Sequence, residues 1–460
     1  MILFLAMGTV WFFYRPHPLS QPAAEQKSNS LQKIKEAKKT VALIPAVLGF
    51  ERPQTYLVLF LNNTELRPGG GFIGSYGLAK VNKGEVTLFE TNGSENLDWA
   101  APTDFKIEPP APIKKFLNQD KWYFRDSNWS PDFPAAAKAA IWFYRFEGGK
   151  DGERIDGVIG VTPTVVEKLM DLTGPVEVNG RKFEAANFTE ELEYHVEYGY
   201  KEAGRGLAER KIIIGELGRA LLKKLSSLAP WKWGELWAAA NDLIKERQMM
   251  FYSNNPETQK IFLENDWAGE IKETKGDYLA VVDSNLASLK TDPVIKRRIF
   301  YYIVPQVTGY KAEVVGYKAE VRVEYDHQGS FDWKTTRYRT YTRIYVPAGS
   351  RLIGAEGFMD EKKNPAEAVV EEELGKISFG GFLSLEPKDR KVLTISYYLP
   401  KEIAQNIQKG LYTLFVQKQL GSGRTPLTVY LDFGKKGKDG QPIILRRETD
   451  LSVDREFKWQ

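Results

Sequence analysis

The chain has 460 residues, of which 42% are hydrophobic and 13% aromatic, with a formal net charge of +4 and no cysteine. Because a single core rarely grows beyond about 250–300 residues, this length predicts two or three domains. The small net charge argues against a nucleic-acid-binding protein, and the absence of cysteine excludes a disulfide framework and thiol catalysis.

The first 14 residues, MILFLAMGTVWFFY, are almost entirely apolar. A helix that spans a bilayer needs about 20 apolar residues, so we interpret residues 1–14 as a membrane anchor that a misplaced start codon would have shortened. The alternative is a buried strand or helix. Residues 15–40 predict a polar stalk followed by a basic helix, Ser30–Thr40. On the positive-inside rule alone, the cations of this segment favour a cytoplasmic body.

Residues 41–290 predict an α/β domain with a mixed sheet and flanking helices. Strands are predicted at Tyr56–Leu61, Gly74–Val81, Glu85–Glu90 and Ile155–Val161. The last of these is nearly continuous in apolar residues, which is typical of a strand buried on both faces. Thr162 is placed to cap a helix that begins at Pro163. A strand that runs directly into a helix indicates α/β architecture.

Residues 297–460 predict a second domain of a different class. Short runs rich in β-branched and aromatic residues, such as RRIFYYIVPQV, RYRTYTRIYVP and KVLTISYYLP, alternate there with turns. This pattern is typical of an antiparallel β-sandwich. The predicted fold is therefore an α/β domain followed by an all-β, sandwich-like domain.

The first candidate site is the loop within LVLFLNNTELRPGGGFIGSYG, where an apolar strand is followed by Glu65, Arg67 and the glycines Gly69, Gly70 and Gly71. Glycines let a phosphate or a sugar approach the backbone N–H groups, and arginine adds a fork of donors. The alternative is a wide hairpin turn in which Arg67 forms a structural salt bridge.

The second candidate is WYFRDSNWSPD, in which Arg125 and Asp126 stand among tryptophans. Aromatic side chains around charged groups are typical of a site wall. In the alternative interpretation, Ser130 or Asp132 caps the next helix and the Arg-Asp pair is merely solvated.

The third candidate is GRGLAERK, which gathers Arg205, Arg210 and Lys211 before a long amphipathic helix. Arginine binds a pyrophosphate through bidentate contacts, and lysine binds it as a point charge. The alternative is a solvated basic face.

The strings NNTELRPGGGFIGSYG, FRDSNWSPDFP, IDGVIGVTPT and LTGPVEV closely resemble a bacterial family known only as domain of unknown function 4012. YTRIYVPAGS, FGGFLSLEP and YTLFVQKQLG in the β-rich end are similar to the C-terminal part of that family. The resemblance covers most of the chain beyond the stalk. It implies a family but no activity.

Residues 55–225 resemble more distantly the LytR–CpsA–Psr phosphotransferases, which attach glycans carried on lipid pyrophosphates to the bacterial cell wall. Glu65 and Arg67 stand where that family has an acidic residue and an arginine. Its following Arg-Asp pair is missing from ETNGSENLD, and the nearest substitutes are Asp98 or Arg125–Asp126. Arg205 to Lys211 is similar to the family's arginine-rich helix start, with Lys211 in place of a glutamine.

This second resemblance implies a membrane-anchored glycopolymer phosphotransferase with its body on the extracytoplasmic side. A polyprenyl-pyrophosphate glycan would lie among Arg67, Arg125, Arg205 and Arg210 and be transferred to a cell-wall acceptor. Glu65, with Asp126, would bind Mg²⁺ or orient the attacking sugar hydroxyl.

The alternative is a non-catalytic surface module that binds a glycan or another envelope protein, and the missing elements favour it. An enzyme is expected to gather the predicted charged residues around one deep pocket, whereas a binding module would scatter them.

Overall fold

The computed structural model describes residues 45–287, 289–309, 313–438 and 440–459. The predicted anchor, residues 1–14, and the predicted stalk and basic helix, residues 15–40, lie outside these ranges. Within them, no helix is both long enough and apolar enough to cross a bilayer.

The strands alternate with helices in the first half of the chain and dominate the second half. The strands are β1 Gln54–Asn62, β2 Phe72–Asn82, β3 Glu85–Gly93, β4 Gly157–Val161, β5 Val176–Val178, β6 Arg181–Phe183, β7 Met249–Ser253, β8 Asp277–Asn285, β9 Ile295–Thr308, β10 Glu313–His327, β11 Tyr338–Pro347, β12 Arg351–Glu356, β13 Val369–Glu373, β14 Lys376–Leu385, β15 Arg390–Tyr398, β16 Tyr412–Gln417, β17 Pro426–Lys436, β18 Pro442–Asp450 and β19 Arg455–Trp459. The main helices are α1 Ser94–Ala100, α2 Ala111–Leu117, α3 Phe133–Phe146, α4 Pro163–Thr173, α5 Phe188–Tyr194, α6 Ile212–Ser226, α7 Trp233–Lys245, α8 Pro256–Glu264 and α9 Lys401–Gln408.

The contacts divide the chain into two compact units. The α/β unit holds described residues 45–62, 72–105 and 123–270, and the β unit holds the described residues of 63–71, 106–122 and 271–459. The sequence places the end of the α/β domain at residue 290, whereas β8 pairs with β11 and β16 inside the β unit. All nine residues of β8 are buried, so its sequence is hard to distinguish from a strand of an α/β sheet.

The α/β unit is built on a five-stranded sheet in the order β3-β2-β1-β4-β7. Only the β1–β4 pair is parallel, so the sheet is mixed. One face packs its apolar side chains against α4, α6, α7 and α8 in a shared core. On the other face, the Phe133 ring of α3 lies against Gly160, and Tyr144 of the same helix packs edge-on against Tyr76 of β2.

Local signals set the helix starts in this unit. Pro163 opens α4 and Thr162 is its N-cap residue, as predicted, although the Thr162 hydroxyl donates to Gln248 and not to the helix. Asp132 caps α3 by accepting a hydrogen bond from the Ala135 N–H at 2.9 Å. The cap satisfies one of the N–H groups that a helix start leaves without an intrahelical partner.

The β unit consists of two six-stranded sheets, ordered β12-β15-β10-β9-β17-β18 and β13-β14-β11-β8-β16-β19. Apolar residues from both sheets form one core, as in a sandwich. The sequence predicts a purely antiparallel sandwich, but the pairs β8–β16 and β9–β17 are parallel. The predicted fold class, an α/β domain followed by a β-rich domain, is confirmed.

Candidate functional site

Helix α1 carries two buried carboxylates one helical turn apart. It follows β3 directly, and Glu95 and Asp98 stand at positions i and i+3, where Cβ atoms lie about 5–6 Å apart on one face. Both bind cations that come from distant parts of the chain, namely Arg125, Arg210 and Lys211. We call these five residues the α1 cluster.

Glu95 holds the two cations that precede α6. The Nε atom of Arg210 lies 2.9 Å from Oε1 of Glu95, and Nζ of Lys211 lies 2.5 Å from Oε2. Lys211 also donates to the carbonyl of Gly74 at the start of β2. Burial opposes ionisation of Glu95, but the charges and hydrogen bonds of Lys211 and Arg210 outweigh it and lower its pKa. Through its contacts with Glu95 and Gly74, Lys211 links α1 to the start of β2.

Asp98 binds Arg125 and faces a second carboxyl group. Nε of Arg125 lies 2.5 Å from Oδ2 of Asp98. Glu147, which follows α3, interacts closely with Asp98 and accepts the N–H of Phe124 at 2.8 Å. Burial raises the pKa of Asp98 to about 6 and that of Glu147 to about 9, with mutual repulsion adding to the shift of Glu147. Between these values the two carboxyls hold one proton as a pair.

Asp126 is buried, and its charge adds to the raised pKa of Asp98. The short helical turn Phe124–Asp126 therefore brings both predicted residues of WYFRDSNWSPD, Arg125 and Asp126, to α1. Over the part of the chain that the structure describes, no group of three or more His, Cys, Asp or Glu side chains is arranged to hold a metal ion.

Arg205, the remaining predicted cation of the α/β unit, forms a separate ion pair. Its Nη2 atom lies 2.8 Å from Oε1 of Glu216 on α6, and 22% of each side chain is exposed. The structure therefore joins Arg210 and Lys211 to Arg125 through α1, but it ties Arg205 to the outside of the following helix.

The glycine-rich loop belongs to the β unit, where it is held by buried contacts. Nη2 of Arg67 lies 3.1 Å from Oε1 of Glu65, and Nη1 donates to the carbonyl of Asn285 at the end of β8. The side chain of Arg67 is 3% exposed. This is the structural salt bridge of the alternative interpretation, and a ligand role for Glu65 and Arg67 stays a prediction.

The glycines of this loop approach another segment of the chain itself. Gly69 forms a bridge to Leu420, and a Cβ atom at Gly421 would lie 1.8 Å from the carbonyl oxygen of Gly70. Gly70 and Gly71 have φ of +116° and +148°, which favours glycine. The sequence predicts that a ligand approaches these glycines closely, which stays a prediction, and the structure shows the backbone of residues 420–421 against them.

Two residues of this arrangement escaped the sequence interpretation. Glu95 sits in SENLDW with an i, i+3 spacing to Asp98, which is a usable signal once a helix is assumed after β3. Glu147 sits in RFEGGKD, a polar stretch that reads as an ordinary helix end. Its burial depends on long-range packing, so no local signal marks it.

Residues 51–196 match the model of the family described as "Protein of unknown function (DUF4012)". The resemblance to this family that the sequence predicts is confirmed over these residues. No curated protein matches the chain. The more distant resemblance to the LytR–CpsA–Psr phosphotransferases stays a prediction.

Solved structures similar to this chain share little sequence with it. Protein gbs0355 from Streptococcus agalactiae is 13% identical, with a TM-score of 0.28, over 50% of this chain and 79% of its own. Lin1025 from Listeria innocua is 15% identical, with a TM-score of 0.23, over 49% and 85%. A transcriptional regulator (EF0465) from Enterococcus faecalis is 11% identical, with a TM-score of 0.25, over 51% and 79%. Similarities this weak carry no argument about fold or function.

Proposed function

We propose that this protein works in the bacterial cell envelope, anchored by its N-terminal segment with its body outside the membrane, and binds a glycan carried on polyprenyl pyrophosphate. The α1 cluster is the proposed pyrophosphate site. The observation that carries the proposal is that α1 gathers three cations predicted from two separate sequence segments, Arg125, Arg210 and Lys211. The family resemblance supplies the substrate class.

The carboxylates of α1 can orient the arginines without using up their donors. A guanidinium group has five N–H donors, and Arg125 forms an ion pair with Asp98, its Nε lying 2.5 Å from Oδ2. Arg210 uses Nε on Glu95 and reaches Glu197 at 3.4 Å through Nη1. The side chains of Arg125 and Arg210 are 29% and 23% exposed. Their outer donors are thus available to a phosphate, and bidentate contacts of this kind are strong.

Lys211 and Glu95 have a different role from the two arginines. Both are largely buried and bound to each other. They would position Arg210 and the start of α6 and make no contact with a ligand. Charge neutralisation of a bound pyrophosphate would therefore come from Arg125 and Arg210.

A transfer reaction is the second candidate. The pKa of Asp98 is raised to about 6 and that of Glu147 to about 9, so one value lies below neutral pH and the other above it. A sugar hydroxyl of the acceptor would attack the glycan-linked phosphorus, its proton would pass to Asp98, and the bond to the leaving polyprenyl phosphate would break. A base with a pKa near the working pH suits this step. Against transfer, only 1% of the Asp98 side chain is exposed, which favours a non-catalytic binding module.

Glu65 and Asp126 are the predicted magnesium ligands, and the Glu65 carboxylate would have to release Arg67 before it could bind a metal ion. The ordinary role of Mg²⁺ in such chemistry is to neutralise phosphate charge, so a magnesium requirement stays a prediction.

The test is equilibrium binding of a polyprenyl-pyrophosphate glycan to the detergent-solubilised full chain. Arg210→Gln and Arg125→Gln are each expected to weaken binding about tenfold, since a charge-assisted hydrogen bond contributes about 1.5–3 kcal/mol. Arg145→Gln is the matched control, because Arg145 lies on α3 in an exposed ion pair with Glu153. Unchanged binding in both test variants would contradict the proposed site. With an acceptor glycan added, release of polyprenyl phosphate together with formation of the glycan–phosphate–acceptor product by the unaltered chain, both absent in Asp98→Asn, would establish transfer.

A further inference from the structure

The β unit contains a cavity of about 810 Å³ at one end of the sandwich, and no predicted site residue lines it. It lies where β9, β15 and β17 begin and β10 ends, and it is bordered by Asn63, Thr64 and Leu66 and by residues 421–426. Sites for small-molecule ligands have volumes of about 300–1,000 Å³, so this one has room for a charged group with its substituents.

Cations outnumber carboxyl groups in the cavity lining. The cations are Lys296, Arg297, Arg298, Arg390, Lys391 and Arg424. The carboxyl groups are Asp283, Asp292, Glu324 and Asp326. The cavity therefore attracts anions, and the strength of this attraction depends on which of these charges are already neutralised.

Asp283 and Asp292 are fully engaged with the protein. Asp283 binds the buried Arg297 and accepts hydrogen bonds from Tyr325 and Thr342. Asp292 accepts the N–H of Leu66 at 3.0 Å and further bonds from Asn285 and Tyr338, and burial raises its pKa to about 6. Because protein donors already bind the carboxylate oxygens of these two residues, the carboxylates repel an incoming anion less than free carboxylates would.

The remaining arginines form an exposed rim. The side chains of Arg298, Arg390 and Arg424 are 56%, 76% and 76% exposed. Their partners are Glu324, Asp326 and Asp450. Exposed ion pairs of this kind contribute about 0–1 kcal/mol to stability. A ligand anion can therefore replace the carboxylate partner of each arginine with little loss of stability. Lys296 has no ion-pair partner within the described residues.

The loop 421–425, GSGRT, adds backbone donors to the rim. Gly421 is fixed by its φ of +69° and its contact with Gly70, whereas a Cβ at Gly423 would meet no atom within 4 Å. Within the described chain, neither the N–H of Gly423 nor that of Arg424 has an acceptor. Open backbone N–H groups beside an arginine are a common phosphate-binding arrangement.

We propose that this cavity binds a phosphodiester, with the phosphate group held by Arg298, Arg424 and the N–H groups of the 423–424 segment. The volume of about 810 Å³ leaves room for the substituents of that phosphate. This site shares no residue with the α1 cluster and is proposed independently of it.

The test uses the detergent-solubilised full chain titrated with three ligands: inorganic phosphate, a phosphodiester-linked oligosaccharide and an oligomer of uronic acid. The double variant Arg298→Gln/Arg424→Gln is compared with Arg351→Gln/Arg446→Gln, which removes the same charge from the same sheet outside the cavity. We expect the first to weaken binding of the phosphodiester oligomer at least about tenfold and the second less than about twofold.

Three results would overturn the proposal. These are equal losses in both double variants, equally tight binding of the uronic acid oligomer, and binding of inorganic phosphate as tight as that of the phosphodiester oligomer. In an Arg210→Gln background, the double variant Arg298→Gln/Arg424→Gln should lose the same factor in affinity for the phosphodiester oligomer. The cavity proposal can therefore be rejected without rejecting the α1 cluster, and the reverse.

Discussion

The α1 cluster of the α/β unit and the cavity floor of the β unit, by which we mean Asp283, Asp292 and Arg297, both place carboxyl groups beside arginine, but they satisfy these groups differently. On the cavity floor, Asp283 has Arg297, Tyr325 and Thr342 as donors. In the α1 cluster, both carboxylate oxygens of Asp98 are buried and accept no hydrogen bond from a described donor, and the same holds for Oε2 of the neighbouring Glu147. We infer that the two carboxyls share a proton, since burial raises the pKa of each.

This difference distinguishes the cavity floor, whose Asp283 has a structural role, from the Asp98–Glu147 pair, which responds to pH. A fully satisfied buried network stiffens a fold. A pair of carboxyls that holds one proton changes its charge near neutral pH, and groups of this kind are common at functional sites. The contrast therefore predicts a large stability role for Asp283 and a pH-dependent role for Asp98 and Glu147.

The largest expected effect is on the cavity floor. Asp283→Ala leaves the buried Arg297 without its carboxylate, and breaking a buried pair in this way costs about 3–5 kcal/mol. Glu448→Ala is the matched control, because it breaks an exposed pair with Arg446 and should cost under about 1 kcal/mol. Urea unfolding of each variant measures the difference. Similar costs for the two variants would show that the network is not structural.

The next effect concerns the glycine contact that holds the 63–71 loop in the β unit. Gly421→Ala places a Cβ 1.8 Å from the Gly70 carbonyl oxygen at a φ of +69°, so we expect a loss of about 2–4 kcal/mol. Gly423→Ala, two residues later in open space, should change the free energy of unfolding by under about 0.5 kcal/mol. Equal unfolding midpoints for the two variants would contradict the close approach.

A smaller effect distinguishes the α1 cluster by its pH dependence. The pKa values of Asp98 and Glu147 rise from 3.8 and 4.5 to about 6 and about 9 on folding, so the folded state binds more protons than the unfolded state. Their stabilising contribution is complete below pH 4 and is lost as the pH rises through 6 and 9. We expect the free energy of unfolding to decline steadily between pH 6 and 9, because the folded state holds a proton there that the unfolded state has released.

Glu147→Gln tests the assignment of this pH effect, because glutamine imitates the protonated acid. The variant should flatten the decline in the free energy of unfolding between pH 6 and 9. Glu153→Gln, an exposed change in the same unit, should retain the decline. If Glu147→Gln shows the same slope as the unaltered chain, the proton is not held by this pair.

The sequence predicted those features that depend on neighbouring residues. β1 to β4 lie within a few residues of their predicted positions, and the helix starts at Pro163 and after Asp132 follow from local capping chemistry. The class of both domains followed from the spacing of apolar residues.

The arrangement of the charged residues was not predictable in the same way. Glu95 and Arg210 are 115 positions apart, and their pairing depends on how α6 packs on the sheet. Arg67 and Glu65 had the right local chemistry for a site, yet the same chemistry builds a buried salt bridge. The glycine run indicated a close approach, but only the fold shows that its partner is Gly421.

The smallest expected effect separates the stability of helix α3 from the proton on Glu147 at its far end. Asp132→Ala removes the N-cap bond to the Ala135 N–H and should cost about 1 kcal/mol. Asn255→Ala removes the corresponding cap of α8, at similar cost, from a helix that carries no member of the pair. Because fraying stays within the first turn, both variants should keep the decline in stability between pH 6 and 9. If the free energy of unfolding declines less steeply with pH in Asp132→Ala but not in Asn255→Ala, the shared proton depends on the whole of α3. The carboxyl pair would then depend on long-range packing, as the cavity floor does.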